Sequence, residues 1–207
     1  MSILGARCRI CRREGMKLYL KSTRCFTAKC AIAKRESVPG MHAWRRGKPS
    51  DYFYGLREKQ KLKRFYGLRE KQFRRFFAEA SRMPGNTGEA LLVMLERRLD
   101  NVLYVGGFAL SRGHARQMIG HGHMHVNGHK VDVPSYLVSQ DDVIVPKDVE
   151  ESKNLVKEAL EVTKDRARAA WLEIKEEPLQ LRVLTMPSRA DVTVEAREQL
   201  VVELLSK

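Results

Sequence analysis

The chain has 207 residues, 43% of them hydrophobic, and a net charge of +14. That length suits one or two folded domains, and no run nears the roughly 18 apolar residues of a membrane-spanning helix. The excess charge lies in the first third: residues 1–75 hold 22 Lys/Arg against 5 Asp/Glu, while residues 76–146 and 147–207 come to −1 and −2. Such asymmetry points to a polyanionic partner. Nucleic acid is favoured over a membrane surface, because no strongly apolar helix face accompanies the charge. The N-terminus has arginines and cysteines but no apolar signal core, which argues against secretion.

All four cysteines lie within the first thirty residues, as C-x2-C at Cys8 and Cys11 and C-x4-C at Cys25 and Cys30. Two close pairs separated by a loop match a tetrahedral four-thiolate zinc site. The competing readings are two disulfides or four free thiols. A reducing compartment argues against disulfides, so one Zn2+ is favoured. Four thiolates leave no open position for water, so the metal would be structural. It would also supply folding energy to a core-poor segment. Arg12, Arg13, Lys17, Lys21 and Arg24, fixed by the knot, would face phosphate.

Residues 34–50 read as a loop punctuated by Pro39-Gly40, Gly47 and Pro49. Trp44 beside Arg45 and Arg46 would stack on a base or pack into a core, and the core is favoured. The octapeptide FYGLREKQ then occurs twice, at Phe53–Gln60 and Phe65–Gln72. The pattern predicts helices over 51–66 and 68–82, broken at Gly67, capped by Ser50 or Asp51 and ended by Met83-Pro84-Gly85. Leu62, Phe65, Phe73, Phe76 and Phe77 make the buried stripe. Arg57, Lys59, Lys61, Lys63, Arg64, Arg69, Lys71, Arg74 and Arg75 crowd the other faces without acidic i+4 partners, and a basic helical pair set against phosphates explains the excess.

A third helix is predicted from Asn86, with Glu89 completing a capping box. Leu91, Leu95, Leu99, Val102 and Leu103 keep helical spacing up to the glycine stop at Gly106-Gly107. Ser111 caps a short helix closed by Gly120, with Ala115, Met118 and Ile119 inward and Arg112 and Arg116 together on an outer face. That arrangement suits phosphate, and equally suits two solvated arginines. Met124 and Val126 alternate with His123 and His125. Asn127-Gly128 fits a type I′ hairpin turn, with Val131 and Val133 on the return strand. His121, His123, His125 and His129 are read as weakly basic RNA contacts or plain surface, because the hairpin offers no carboxylate second shell except Asp132.

Arg98-Leu99-Asp100, Ser111-Arg112, Ala115-Arg116-Gln117, Gly122, Val126-Asn127-Gly128 and Val131 through Pro134-Ser135 resemble the RNA-binding module named after the fourth protein of the small ribosomal subunit. That module also occurs in pseudouridine synthases and some tRNA synthetases, so by itself it does not settle function. The run from Lys59 to Phe77, KQKLKRFYGLREKQFRRFF, resembles the ribosomal protein and not the enzymes. The likeness covers most of the chain, and the cysteine pairs resemble those of the zinc-bearing branch of the small-subunit ribosomal protein four family. On the matching module, His114, Gln117, His123, Asn127 and Lys130 join Ser111, Arg112 and Arg116 as candidate RNA contacts.

A further strand is expected at Val143–Val145, preceded by Asp141-Asp142 where the family tends to show Gly-Asp. Residues 147–170 read as mostly helical, with Leu155, Val156, Ala159 and Leu160 as the apolar positions. Residues 171–174 and 181–184 read as strands about a turn at Pro178. The resemblance implies that the tail returns to the early helices. Family tails end in aromatics, whereas this one ends Glu203-Leu204-Leu205-Ser206-Lys207.

The expected fold is α+β: a basic zinc-bound segment over 1–45, a helical domain over 46–90 joined by 180–207, and an RNA-binding module of helices packed on a small antiparallel sheet over 91–179. The competing class is an RNA-modifying enzyme. Arg98-Leu99-Asp100 is similar to a pseudouridine synthase motif, but is expected mid-helix. About sixty residues follow the module, too few for a catalytic domain of ~100–200 residues. No Gly-rich phosphate loop, H-E-x-x-H or nucleophile elbow is present. The resemblance implies a non-enzymatic, cytoplasmic rRNA-binding constituent of the small subunit that nucleates assembly at a multi-helix junction in the 5′ domain. It also implies contact with small-subunit protein five and neighbouring proteins, a place near the path by which mRNA enters, a share in translational accuracy, and no homo-oligomer. The alternative is a free RNA-binding translational regulator or an RNA-modification accessory factor.

Overall fold

The computed structural model describes residues 5–41 and 48–206, so Trp44, Arg45 and Arg46 lie outside the described residues. The chain divides into two compact units: residues 1–91 with 194–207, and residues 92–193.

In the first unit, α1 (Arg7–Glu14) stops at Gly15, whose φ of 72° is one that a Cβ would oppose. A 3₁₀ turn at Thr23–Cys25 and the short α2 (Ala31–Lys34) complete the N-terminal segment. Helix α3 (Asp51–Phe65) starts where its cap chemistry predicts, with Ser50 Oγ accepting from the Phe53 amide at 3.3 Å. Helix α4 (Glu70–Ala80) follows after a turn at Gly67. Leu62, Phe65, Phe73 and Phe76 are buried as expected, and Phe77 is half-buried.

The repeated octapeptide takes two backbones. Its first copy is helical throughout, while its second carries the end of α3, the left-handed Gly67 and the start of α4. Gly55 of the first copy lies under α9 (Glu198–Leu205): a Cβ there would meet Leu200 O at 3.2 Å and Leu204 Cβ at 3.4 Å. The tail is held on α3 by polar contacts too. The Arg197 amide donates to Glu58 Oε2 at 3.0 Å, and Lys61 Nζ donates to Glu195 O at 3.3 Å.

Helix α5 (Thr87–Glu96) is capped by Asn86, whose Oδ1 accepts from the Gly88 amide at 2.9 Å. Glu89 reaches the Asn86 side-chain amide at 3.1 Å, not its backbone, so the capping box is closed through side chains. The helix does not run on to Gly106 as its apolar spacing predicts. Arg98 is extended, at φ −64° and ψ 133°, and α6 (Leu99–Val105) starts after it. The break has a non-local cause. The Leu99 amide donates to Tyr136 O at 2.8 Å, the Val138 amide donates to Arg97 O at 2.9 Å, and Arg98 pairs as a bridge with Leu137. Arg98-Leu99-Asp100 therefore heads a helix and is not mid-helix.

In the second unit, α7 (Arg112–Gly120) leads into β1 (Met124–Val126) and β2 (His129–Lys130). Asn127 and Gly128 take φ of 51° and 81°, the two left-handed residues that a type I′ turn demands. The return strand is shorter than predicted. Val131 retains one bond to Met124 O at 3.3 Å, but Val133 is exposed and lies outside it. Strands β3 (Val143–Pro146), β4 (Leu172–Glu176) and β5 (Leu179–Val183) complete an antiparallel sheet in the order β2-β1-β3-β5-β4. Helix α8 (Glu150–Val162) lies between β3 and β4 in the chain. Met124, Val126, Ile144, Leu181 and Val183 bury one face of the sheet. The end of α6 sits on it, since a Cβ at Gly106 would stand 2.8 Å from Leu181 Cδ1. Because β5 is an inner strand, the unit extends to residue 193, and residue 180 is no boundary.

Candidate nucleic-acid interface

Cys8, Cys11, Cys25 and Cys30 line one cavity of about 20 Å³, together with Leu20 and Ile32 and flanked by Arg7, Lys21 and Arg24. None of the four is in a disulfide, and all but Cys8 are buried. Burial pushes the Cys11 and Cys25 thiols up. Backbone hydrogen bonds from Leu18 and Lys21 oppose this, and the neighbouring thiols reinforce it. Among the described residues, no group of three or more His, Cys, Asp or Glu side chains is set to hold a metal ion as it stands. Nearby, Arg12 Nε donates to Ser37 O at 2.9 Å and Arg24 Nε donates to Lys29 O at 3.3 Å. Lys21 is half-buried and Arg13 exposed.

Carboxylates gather the cations of α3 and α4. The Glu14 side chain is 1% exposed, and Arg57 and Arg64 both donate to its Oε1. Glu70 accepts from Lys59 at 2.6 Å, Lys63 at 3.0 Å and Arg74 at 3.3 Å. Lys61 pairs with Glu58 at 2.6 Å and Arg75 with Glu79 at 2.9 Å. Against the expectation that these cations lack acidic i+4 partners, Arg75 has one in Glu79, and Arg57, Lys59, Lys61, Lys63, Arg64 and Arg74 are paired at other spacings. Their partners come from α1, from the neighbouring helix, or from i±3 and i±4 positions. Lys59 is itself buried. The Glu14 and Glu70 clusters remain cationic, with two and three basic groups against one carboxylate. Burial alone would raise the Glu70 pKa, but hydrogen bonds and charge from Lys59 and Lys63 hold it down at about 2. Arg69 and Lys71, on either side of Glu70 in the chain, are exposed.

Arg112 and Arg116, whose spacing suits phosphate contact and plain solvation equally, both have partners within the fold. Asp100, fully buried, accepts from Arg98 Nε at 3.1 Å and Arg98 Nη2 at 2.9 Å, and from Arg116 Nε at 2.6 Å. Arg112 is buried, its Nε donates to Asn101 Oδ1 at 2.8 Å, and its guanidinium lies 4.4 Å from the centre of the Tyr104 ring. Asn101 in turn donates to Glu96, through both its backbone oxygen and its carboxylate. Arg166 lies 4.6 Å from the same ring centre and donates to Tyr104 O at 3.3 Å and Leu110 O at 3.4 Å. Burial lowers the Arg166 pKa, Tyr104 acts against that, and the Arg112 charge adds to it. Glu14, Glu70, Asn101, Tyr104 and Arg166 carry no local signal that marks them, because their contacts, the i, i+4 pair of Glu70 with Arg74 apart, join separate elements.

Ser111 Oγ caps α7 by accepting from the His114 amide at 3.2 Å, and His114 Nδ1 accepts from the Leu110 amide at 3.3 Å. Burial pushes the His114 imidazole pKa down, toward the neutral ring that can accept there. Asn127 bonds Asp142 Oδ1 at 2.8 Å and the Val143 amide at 2.9 Å, so it fixes the hairpin to β3. His123 Nδ1 lies 2.9 Å from Ser152 Oγ, which ties β1 to α8. Gln117 and Lys130 are exposed. The described candidates therefore differ in exposure, and Arg57, Lys61, Lys63, Arg64 and Arg116 are half-buried in ion pairs. Arg13, Arg24, Arg69, Lys71, Arg74, Arg75, Gln117 and Lys130 face water. Lys59, Ser111 and Arg112 are buried in the fold, while Asn127 is exposed and bonds Asp142 and the Val143 amide.

Residues 3–96 match the family described as Ribosomal protein S4/S9 N-terminal domain, and residues 97–144 match the S4 domain. The chain is 51% identical over 203 residues to the small ribosomal subunit protein uS4 of Pelotomaculum thermopropionicum, covering 98% of both chains. With the same coverage it is 48% identical to the uS4 protein of Thermodesulfovibrio yellowstonii and 51% identical to that of Clostridioides difficile.

Two measurements test this geometry. Asp100→Asn leaves Arg98 buried beside a neutral amide, and should lower stability by about 3–5 kcal/mol. A loss under ~1 kcal/mol in urea unfolding would contradict the buried pair. A depressed carboxylate contributes stability above its unfolded pKa and loses it as pH falls through its folded one. The gap in urea midpoint between the native chain and Glu70→Gln should therefore be full near pH 7 and close as pH falls from 4.5 toward about 2. A gap that stays constant over that range would remove Glu70 from the cation cluster.

Proposed function

The chain belongs to the uS4 family of small-ribosomal-subunit proteins, and we propose that it is a primary rRNA-binding protein that nucleates assembly of the subunit body. It is a structural constituent of the small subunit and not an enzyme. Its work is to bind small-subunit rRNA and to sit among ribosomal neighbours. The observation that carries the binding mechanism is the cation array of the first unit, fixed by Glu14 and Glu70 while staying net positive. Phosphate contacts position a protein on RNA, and prearranged cations make those contacts without having to be ordered first. The RNA side is read as a junction of several helices in the 5′ domain, recognised by shape and phosphate. The same reading places small-subunit protein five alongside, mRNA nearby, and a contribution to accuracy.

Zinc is proposed for the cysteine cluster. Four thiols share one cavity, the donor type suits Zn2+, and the mutual opposition of four thiolates is what a divalent cation relieves. Cys8, Cys11, Cys25 and Cys30 would be the ligands, and binding would draw them together and stiffen the segment that carries Arg13 and Arg24.

Competition binding tests the RNA reading. The zinc-loaded protein should hold a transcript of the 5′ domain against excess tRNA, and log affinity should fall with log salt at about −0.9 per phosphate contact on duplex. Binding abolished by tRNA, or a flat salt profile, would overturn it and reopen the regulator or accessory-factor reading. For zinc, Cys25→Ser should lose bound metal and loosen residues 5–41 while residues 86–145 keep their amide protection. Metal content equal to that of the unaltered protein would end the assignment.

A further inference from the structure

We infer that Tyr52, Phe53 and Tyr54, on the first turn of α3, form a stacking site for unpaired RNA bases; this rests on the rRNA-binding reading above. The three rings are 66%, 40% and 50% exposed. The chain contains its own comparison. In the second copy of the octapeptide, Phe65 and Tyr66 repeat Phe53 and Tyr54, and they are 4% and 1% exposed. The same aromatic pair is covered by the fold in one copy and presented to solvent in the other.

The chemistry around the rings indicates what covers them. At about 100° per residue, Phe53, Arg57 and Arg64 fall within roughly 40° of one another on one face of α3. Tyr52, Lys59 and Lys63 fall within roughly 40° on another. These are the cations held by Glu14 and Glu70, so Phe53 and Tyr52 each head a row of basic groups that stays net positive, and Tyr54 lies beside them. Asp51 is the one acidic residue in that first turn. Aromatic rings interleaved with cations are the pattern of a single-stranded nucleic-acid site, in which bases stack and phosphates pair. A protein helix would need an apolar stripe at i, i+3 and i+4. Three consecutive residues spread over roughly 200° give no stripe, but give separate stacking planes.

The test uses the full chain and the 5′-domain transcript. Ultraviolet irradiation of the unaltered complex should crosslink RNA to the peptide containing Tyr52–Tyr54. The triple variant Tyr52→Ala, Phe53→Ala, Tyr54→Ala should bind at least about tenfold more weakly at two salt concentrations, with an unchanged salt slope because no cation is removed. The crosslink is read on unaltered protein, so it decides the matter even if the variant fails to fold. No crosslink together with equal affinity would overturn the stacking site and leave the RNA reading intact. Equal RNA affinity with loss of the variant from particles reconstituted with the other small-subunit proteins would overturn it and assign the rings to a protein neighbour. An unaltered protein that does not hold the transcript would overturn both readings.

Discussion

Asp100 accepts hydrogen bonds from Arg98 through both oxygens and from Arg116 through one, in a space closed to water. The pattern recurs in the first unit, where Glu14 holds Arg57 and Arg64 and Glu70 holds Lys59, Lys63 and Arg74. In each cluster one carboxylate serves several cations. At the buried Asp100 and Glu14, Coulomb attraction at reduced dielectric offsets the loss of hydration, and removing a partner leaves a buried charge uncompensated. The cations cannot spread apart under their own repulsion, yet the local charge stays positive. Salt that weakens contacts to an external phosphate screens the enclosed Asp100 and Glu14 pairs much less. The positive surface can therefore keep its arrangement under conditions that loosen its hold on RNA.

The features legible in the sequence are those whose chemistry is local. Ser50 and Ser111 cap their helices through their own hydroxyls, and Asn127-Gly128 supplies two left-handed residues in succession. The break at Arg98 was not legible. Leu95, Leu99, Val102 and Leu103 keep helical spacing across it, because α6 resumes with the same face buried. What stops the helix is the backbone of residues 136–138, far along the chain. The partners of the two arginines of α7 were not legible for a similar reason. Spacing of i, i+4 says only that Arg112 and Arg116 are neighbours on one face. Whether that face meets water depends on Asp100 and Asn101, which belong to another helix. Glu14 is 43 and 50 residues from the guanidiniums it holds, and no local pattern encodes that distance.

The repeated octapeptide separates local preference from context within one molecule. Phe-Tyr-Gly-Leu-Arg-Glu is helical at residues 53–58 and a helix–turn–helix junction at residues 65–70. Gly55 and Gly67 have identical flanking residues. The first needs its missing side chain because α9 lies against it, the second because its φ is 63°. One residue type thus meets two unrelated constraints, close approach and backbone sign. The repeat alone could not say which glycine answered to which.

The division between cations that hold and cations that face water bears on how an RNA interface of this kind is dissected. Removing Arg112 or Lys59 would disturb a buried network, and any loss of RNA affinity would then reflect a shifted scaffold. Removing Arg69, Lys71 or Lys130 would change charge at the surface and little else. Shape recognition of an RNA junction depends on the first group, since phosphates are met only where the scaffold has placed their partners. Affinity and its salt dependence depend on the second, since counterions are released only where a cation reaches the backbone. The two properties are carried by different residues of one basic sequence. That is why its count of lysines and arginines, read alone, does not tell which of them the fold itself holds.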